Sequence, residues 1–513
     1  MRNRTCLSAA ALGLLLAPIA PALAQASEKP GSAYVQCDGQ PDNVTDGETA
    51  ARLLGAITLL GLFAPAHESA DPAKRKFGAD GVAACASLLS AEHQESNARR
   101  RLGLILGRAI HQIEAKNYDS ALSDVAMARH EAEAAGLMND PYFVRSRARA
   151  FDAVEAAALV RMGRMEEARA ASLRDIQNGE YSFFPLFSAS SYDNLIETSS
   201  PDEERVNGWR TRLLPFVGSV HADRLDLAGR FADSARIRDS MVEFDAVQSP
   251  ELNSSILIAR AALAHALAGD FAGAAERAKA ARANAELRRQ NGKPEANESE
   301  LVEVLDLYTL VTTAHNGDVK AARRLFAGRS EWVNASLGSV LEVNRRLRDG
   351  AAPDDLIGGL AKSPEDLWKE HVETVRAAML AKDGDNKTLF ALLPAEYPAK
   401  QYLAVAKDVW RTDKSKIILK TKADPEKSPM ELMYLPLVSP VVAMDAYMLH
   451  AALIARSRGQ QGFVFSPIIT DKLIAASFRS GNRGDKGFPP ELFIDAGDVI
   501  AKLSPEIPAP APQ

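Results

Sequence analysis

Nine histidines are the first candidates for metal or acid–base chemistry, and none stands at metal-ligand spacing to another. His130-Glu131 has the start of a zincin helix motif, but Ala134 occupies the place where the second zinc histidine is required. The pair therefore reads as a helical surface pair. Ser219 and His221 stand two apart, which in a helix directs them to different faces, and no Gly-x-Ser-x-Gly elbow occurs. Gly481, Gly484 and Gly487 match neither the dinucleotide-binding nor the P-loop spacing, and this polar run reads as a mobile hairpin loop between strands. Arg99-Arg100-Arg101 reads as the solvated start of a helix. The residues thus imply no cofactor, no metal site and no catalytic constellation, and a non-enzyme is expected.

Cys37 and Cys85 are the remaining candidates for covalent chemistry. Residues 1–24 read as a secretory signal: Arg2 and Arg4 lead, Leu7 to Ala20 is apolar, and Ala22-Leu23-Ala24 is an A-x-A site cleaved between Ala24 and Gln25. Cys6 lies before the apolar stretch and no cysteine follows the cleavage site directly, so lipidation is not expected. The mature chain then keeps one pair of cysteines, and an even pair in an exported protein reads as a disulfide, Cys37–Cys85. In loop-entropy terms such a bond is worth roughly 4 kcal/mol. Removing Arg2 and Arg4 takes the basic residues from 61 to 59 against 67 acidic ones, so no electrostatic nucleic-acid binder is indicated. The most apolar later stretch, Leu53 to Ala66, is 14 residues long where a membrane span needs about 20. A periplasmic protein of a Gram-negative bacterium is the simplest expectation.

The elements that must carry these residues announce themselves through a recurring turn. Lys116-Asn117-Tyr118-Asp119-Ser120-Ala121 matches Gly163 to Ala168, Gly229 to Ser234, Gly269 to Ala274 and Gly317 to Ala322. The shared pattern is Gly, polar, large apolar, two variable residues, small. Helical periodicity flanks it: Leu102, Leu106, Ala109 and Ile113 precede the first turn, and Ala121, Leu122, Val125 and Ala128 follow it. Around the fourth, Ile256, Ala259, Leu263 and Leu267 precede, and Ala274, Ala275, Ala278 and Ala281 follow. The pattern resembles the inter-helix turn of tetratricopeptide (TPR) repeats, in which glycine ends the first helix and the small residue permits close crossing. Spacings of 47, 66, 40 and 48 residues depart from the regular repeat of about 34. The expected fold is mostly α: an irregular TPR-like α-solenoid over 96–400, preceded by a helical cap over 25–95 and followed by a small C-terminal α/β domain over 401–504. The cap includes a helix over Asp46 to Phe63 and another over Gly81 to Leu89. The aromatic run Tyr181 to Tyr192, between the second and third turns, reads as a plug between irregular repeats.

The C-terminal block is expected to hold strands at Lys416 to Lys422, Leu432 to Val438, Gly462 to Phe465 and Leu473 to Phe478. A helix over Val441 to Arg458 and a short one from Asp495 to Leu503 accompany them. The Pro-rich tail 505–513 reads as disordered. Tyr447 to Ala455 leading into Gly462-Phe463-Val464-Phe465, with Asp495 to Leu503, resembles a small domain of unknown function of proteobacterial periplasmic proteins and lipoproteins. That resemblance spans roughly 70 residues and implies no activity. Function is expected to be that of a non-catalytic periplasmic scaffold binding a protein or peptide partner. Arg260 and His265, polar residues between the alanines of the fourth repeat, are the possible partner contacts. An accessory factor in envelope polymer assembly or secretion is the alternative, and an enzyme seated in the C-terminal domain a third.

Overall fold

The computed structural model describes residues 31–42, 70–90, 95–181, 200–213, 218–248, 253–329, 331–385, 388–393, 399–412, 418–420, 430–434, 440–469 and 474–509, with isolated residues 68, 92 and 195. The signal segment, the expected helix Asp46–Phe63 and nearly all of the aromatic run lie outside them. Helices dominate, with one small antiparallel sheet near the C-terminus. No helix among the described residues is long and apolar enough to cross a membrane.

At the N-terminal end, α1 (Ala33–Asp38) starts at Ser32, whose hydroxyl accepts the Val35 N–H, and stops at Gly39 with φ +78°. It lies against α2 (Gly78–Leu89), and Cys37 and Cys85 are joined with their sulfurs 2.10 Å apart. Both cysteines are fully buried beside Leu104. Behind them His111 donates Nε2–H to the Cys37 carbonyl (2.7 Å) while Nδ1 faces the buried Glu114 carboxylate at 2.7 Å.

Each of the five recurring turns joins two helices into an antiparallel hairpin. They are α3 (Ala98–Glu114) with α4 (Tyr118–Ala134) and, after the short α5 (Pro141–Arg145), α6 (Arg149–Met162) with α7 (Met165–Asn178). Beyond α8 (Pro201–Leu213) come α9 (Gly218–Leu227) with α10 (Phe231–Gln248), α11 (Ser255–Leu267) with α12 (Phe271–Gln290), and α13 (Glu298–His315) with α14 (Val319–Ala327). All five turns are closed by the same pair of backbone bonds. At the fourth, the Gly269 N–H reaches the Ala266 carbonyl and the Asp270 N–H reaches that of His265, the pattern of a Schellman cap. The cap needs a left-handed residue: Gly163, Gly229, Gly269 and Gly317 have φ of +71° to +96°, and Lys116 has +63°. Asp270 and Asp318 also cap the following helix, accepting the N–H of Gly273 and Ala321 at 2.9 Å. The small residue of the pattern (Ala121, Ala168, Ser234, Ala274, Ala322) is fully buried in every case, where a larger side chain would force the paired helices apart.

The chain then returns along the array. α15 (Leu337–Arg348) packs back onto α9, so that Gly338 sits on the Asp226–Leu227 peptide; a β-carbon there would fall 2.3 Å from the Leu227 nitrogen. α16 (Pro364–Lys382), started by a Ser363/Asp366 capping box, runs back to the second hairpin, where Arg376 donates to the Val160 carbonyl and Arg161 pairs with Asp383. Phe390 reaches the first hairpin and lies 5.0 Å from the His111 ring. α17 (Ala399–Val409), β1 (Ile418–Lys420), β2 (Glu431–Tyr434), α18 (Pro440–Ser457), β3 (Gly462–Ile469), β4 (Ile474–Gly481), β5 (Ile494–Asp495) and α19 (Ala496–Leu503) complete the chain. The sheet order is β1-β2-β4-β3-β5, all neighbours antiparallel, with Gly462 opposite Gly481 at one end of the β3–β4 hairpin.

The core runs across residue 400. Leu159, Ala168, Ile176 and Trp209 of the array form one cluster with Tyr402, Met444, Leu449, Phe463, Phe478 and Val499 of the C-terminal block. Phe244 of α10 packs with Val464, Phe488 and Phe493. Two expectations are corrected here. The glycine run at 481–487 is not a mobile hairpin loop: β5 pairs with β3, so the connection crosses the sheet end, and the Gly487 N–H is held at 2.7 Å by Glu243 of α10. Nor is the start of the tail disordered, because Ile507 is 1% exposed within the core and its carbonyl accepts the Trp410 indole N–H at 2.9 Å.

Candidate functional site

Where α15 closes onto α9, a half-open cleft of about 370 Å³ remains. Val220, Asp223, Arg224 and Leu227 of α9 form one wall. The loop 332–336 and the first turn of α15 form the other, and His371 of α16 closes the end. The loop is held rigidly. The carboxylate of Glu303, 1% exposed, accepts the N–H groups of Asn334 (2.8 Å) and Ala335 (2.9 Å) as well as the Asn334 side-chain amide (2.9 Å). Trp332 stacks on Phe326 with centroids 5.1 Å apart, and the Arg329 guanidinium lies 4.8 Å from the Trp332 ring. This leaves Val333 71% exposed at the lip, the most exposed of the large hydrophobic side chains described. Ser336 caps α15 through the Ser339 N–H and donates its own hydroxyl to Asp226 at 2.6 Å. Burial raises the Asp223 carboxyl, against the pull of Arg238 and Arg260. A fixed indole, an exposed valine and flanking Asp and Arg side chains suit an apolar side chain carried on a polar backbone.

Arg260 does not face an open groove. Its guanidinium donates to Glu300 at 2.8 Å and to the Asn334 carbonyl at 3.0 Å, so it braces the loop that lines the cleft. His265 is also taken up internally, with Nε2 2.9 Å from Asp239 and Nδ1 2.8 Å from Asp270. The alanines around them are core: Ala259, Ala262 and Ala266 are fully buried between α11 and its neighbours.

The arginine run is likewise not a solvated helix start. Successive helical residues point about 100° apart, and Arg99, Arg100 and Arg101 accordingly reach three different carboxylates: Asp140, Asp38 and Glu131. Arg100 is 6% exposed. Glu131 is thereby occupied, while His130 is exposed. His221 is bonded to Thr211. Among the described residues no group of three or more His, Cys, Asp or Glu converges as metal ligands would. Sequence reasoning missed two other features. The first is the cleft itself, whose only local signal is the apolar pair Trp332-Val333 in an otherwise polar connection. The second is a buried network in which Arg145 of α5 meets Asp445 of α18 at 3.1 Å and pairs with Glu506, while Tyr402 donates to Asp445. Arg145 and Asp445 are 300 residues apart in sequence, and no local pattern announces the network.

Neither a family model, nor a curated protein, nor a solved structure matches this chain.

Proposed function

We propose that the protein is a non-catalytic, exported interaction scaffold of the TPR-like α-solenoid kind, which holds an extended segment of a protein partner by an apolar side chain seated between α9 and the loop 332–336. The observation that carries this reading is the braced cleft itself, in which three hydrogen bonds to Glu303 and one from Arg260 fix a loop whose outermost residue is an exposed valine. Such bracing lowers the ordering cost of binding without contacting the ligand. The five matching hairpins support the solenoid assignment, because stacked helical pairs present surfaces and leave chemistry to other proteins. The joined cysteines and the residues read as a signal support export to an oxidising compartment, the periplasm of a Gram-negative bacterium. The alternative, an accessory factor that docks through a separate C-terminal module, receives less support from a C-terminal block that shares its core with α6, α7 and α8.

A photo-crosslinking amino acid placed at position 333 should give discrete adducts with envelope proteins in living cells. The same group at position 287, an exposed leucine on α12 away from the cleft, should not. Val333→Asp should abolish selection of peptides from a displayed library by the mature protein. Equal adducts at both positions, or unchanged selection by Val333→Asp, would remove the cleft as the binding site.

A further inference from the structure

α9 divides two clefts. On its other side a second, smaller one of about 180 Å³ is bounded by α8, α9, α10 and Glu491 of the C-terminal crossover. Its ring of charges is largely self-satisfied. Arg230 pairs with Glu204 and Asp233, Arg236 with Asp233 and Glu491, and the second oxygen of Glu491 accepts the Ser240 hydroxyl at 2.7 Å. Three groups are left over. Arg212 is exposed and makes no ion pair or hydrogen bond among the described residues. Glu204 engages Arg230 through Oε2, and its Oε1 has no donor among those residues.

The third is His221, whose tautomer follows from its neighbour. The Thr211 hydroxyl donates to the Asn207 carbonyl at 2.8 Å, so at the 3.4 Å contact with His221 the threonine oxygen must accept from Nδ1–H. Nε2 is then a lone-pair acceptor. Burial, reinforced by Arg230, Arg210 and Arg212 against Glu204, holds the imidazole neutral with its pKa down to about 4. The remaining surface is apolar, from Leu225 and Ile237, and open over Gly208, where a β-carbon would still stand 3.9 Å from the His221 ring.

One unpaired guanidinium, two open acceptors and an apolar floor form a complementary set. We infer that this cleft binds a small zwitterion, an apolar α-amino acid, with its carboxylate on Arg212, its ammonium between His221 Nε2 and Glu204, and its side chain on Leu225 and Ile237. The bidentate geometry of guanidinium suits the carboxylate. A dianion such as phosphate is disfavoured by the three carboxylates of the rim.

The test is thermal denaturation of the mature chain with L-alanine, L-valine, L-leucine or L-isoleucine at up to about 10 mM, tenfold over a Kd of about 1 mM. At least one should raise the melting temperature by about 1–2 °C. Its N-acetyl and carboxamide derivatives, which each lack one charge, should leave the temperature unmoved, as should acetate and phosphate. Arg212→Gln should remove the response and leave the unliganded melting temperature unchanged, since Arg212 makes no ion pair or hydrogen bond among the described residues. No response to any of the four amino acids, an equal response to acetate, or a full response in Arg212→Gln would each overturn the assignment.

Discussion

Replacing Glu506 by glutamine should make stability rise more steeply with pH than in the wild type between about pH 4.5 and 6.5. Burial lifts the Glu506 carboxyl from 4.5 to about 7, with Arg145 opposing the rise and Asp445 adding to it. Between those values the native protein keeps a proton that the unfolded chain has released. The stability this site contributes is therefore full below pH 4.5 and is lost as pH rises through 7. At about 1.4 kcal/mol per unit the loss is of order 3 kcal/mol. His221 acts in the opposite sense. Its imidazole is lowered from 6.5 to about 4, chiefly by burial, so its contribution is present above pH 6.5 and is lost as pH falls through 4. The two overlap with similar size and opposite sign from pH 4.5 to 6.5, so in the wild type they offset each other there. Glutamine keeps the shape and hydrogen bonding of the protonated acid beside Arg145 but cannot titrate. In Glu506→Gln the falling contribution is removed, and stability relative to wild type should climb by about 2–3 kcal/mol over that interval. In His221→Gln the rising contribution is removed, and stability relative to wild type should fall by a similar amount. Urea denaturation at four pH values between 4.5 and 7.5 measures both. Curves for the two variants that run parallel to wild type would refute the reasoning.

Two further predictions concern the backbone. Lys116→Gly should stabilise the protein by about 1 kcal/mol, because Lys116 holds the left-handed cap position that the other four turns give to glycine; a lower urea midpoint would contradict the common cap. Gly338→Ala should destabilise by about 2 kcal/mol or more, since its β-carbon would meet the Asp226–Leu227 backbone at 2.3–2.4 Å and α15 would have to move off α9; an unchanged midpoint would mean that the seam yields freely.

What could be read from the sequence was what the chain encodes locally. The five turns were legible because a Schellman cap and the tight helix crossing after it draw their residues from a six-residue window. That window tolerated Lys116 for glycine and Ser234 for alanine without losing its pattern. The C-terminal strands and helices were legible for the same reason, down to Asp495, whose carboxylate accepts the N–H groups of Gly497 and Asp498 at the start of α19. The cysteine pair was legible from parity alone. Misreadings came where a residue's partner lies far along the chain. Arg100 looks solvated until Asp38 is brought against it across Gly103 and Gly107, where the helix has no side chains to keep α1 away. Arg260 and His265 look free until α10 and α13 supply Asp239 and Glu300. Ile507, in a proline-rich tail, becomes core only because α17 and α18 leave a slot for it.

The return of the chain has a consequence for where a partner could be held. An open array of helical hairpins offers its inner face along its whole length. Here α15 closes onto α9, α16 runs back toward the second hairpin, and the C-terminal block wedges between that hairpin and α10, fixed there by Glu243, Ser240 and Arg236. The apolar face of α11 is covered by Val340, Val343 and Leu347 of α15, while Arg260 and His265 are taken up by α13, by α10 and by the turn that follows α11. Among the described residues, two clefts lie along the two flanks of α9, one with Trp332 and Val333 on a loop braced by Glu303, the other ringed by charges around His221. Both flanks belong to one ten-residue helix on which Gly338 is closely packed. On the two binding proposals above, an amino acid bound at His221 that displaces α9 should change the Kd of a peptide at the Val333 cleft in a fluorescence titration, with the reverse effect by the same factor; an unchanged Kd would mean that the two flanks are independent.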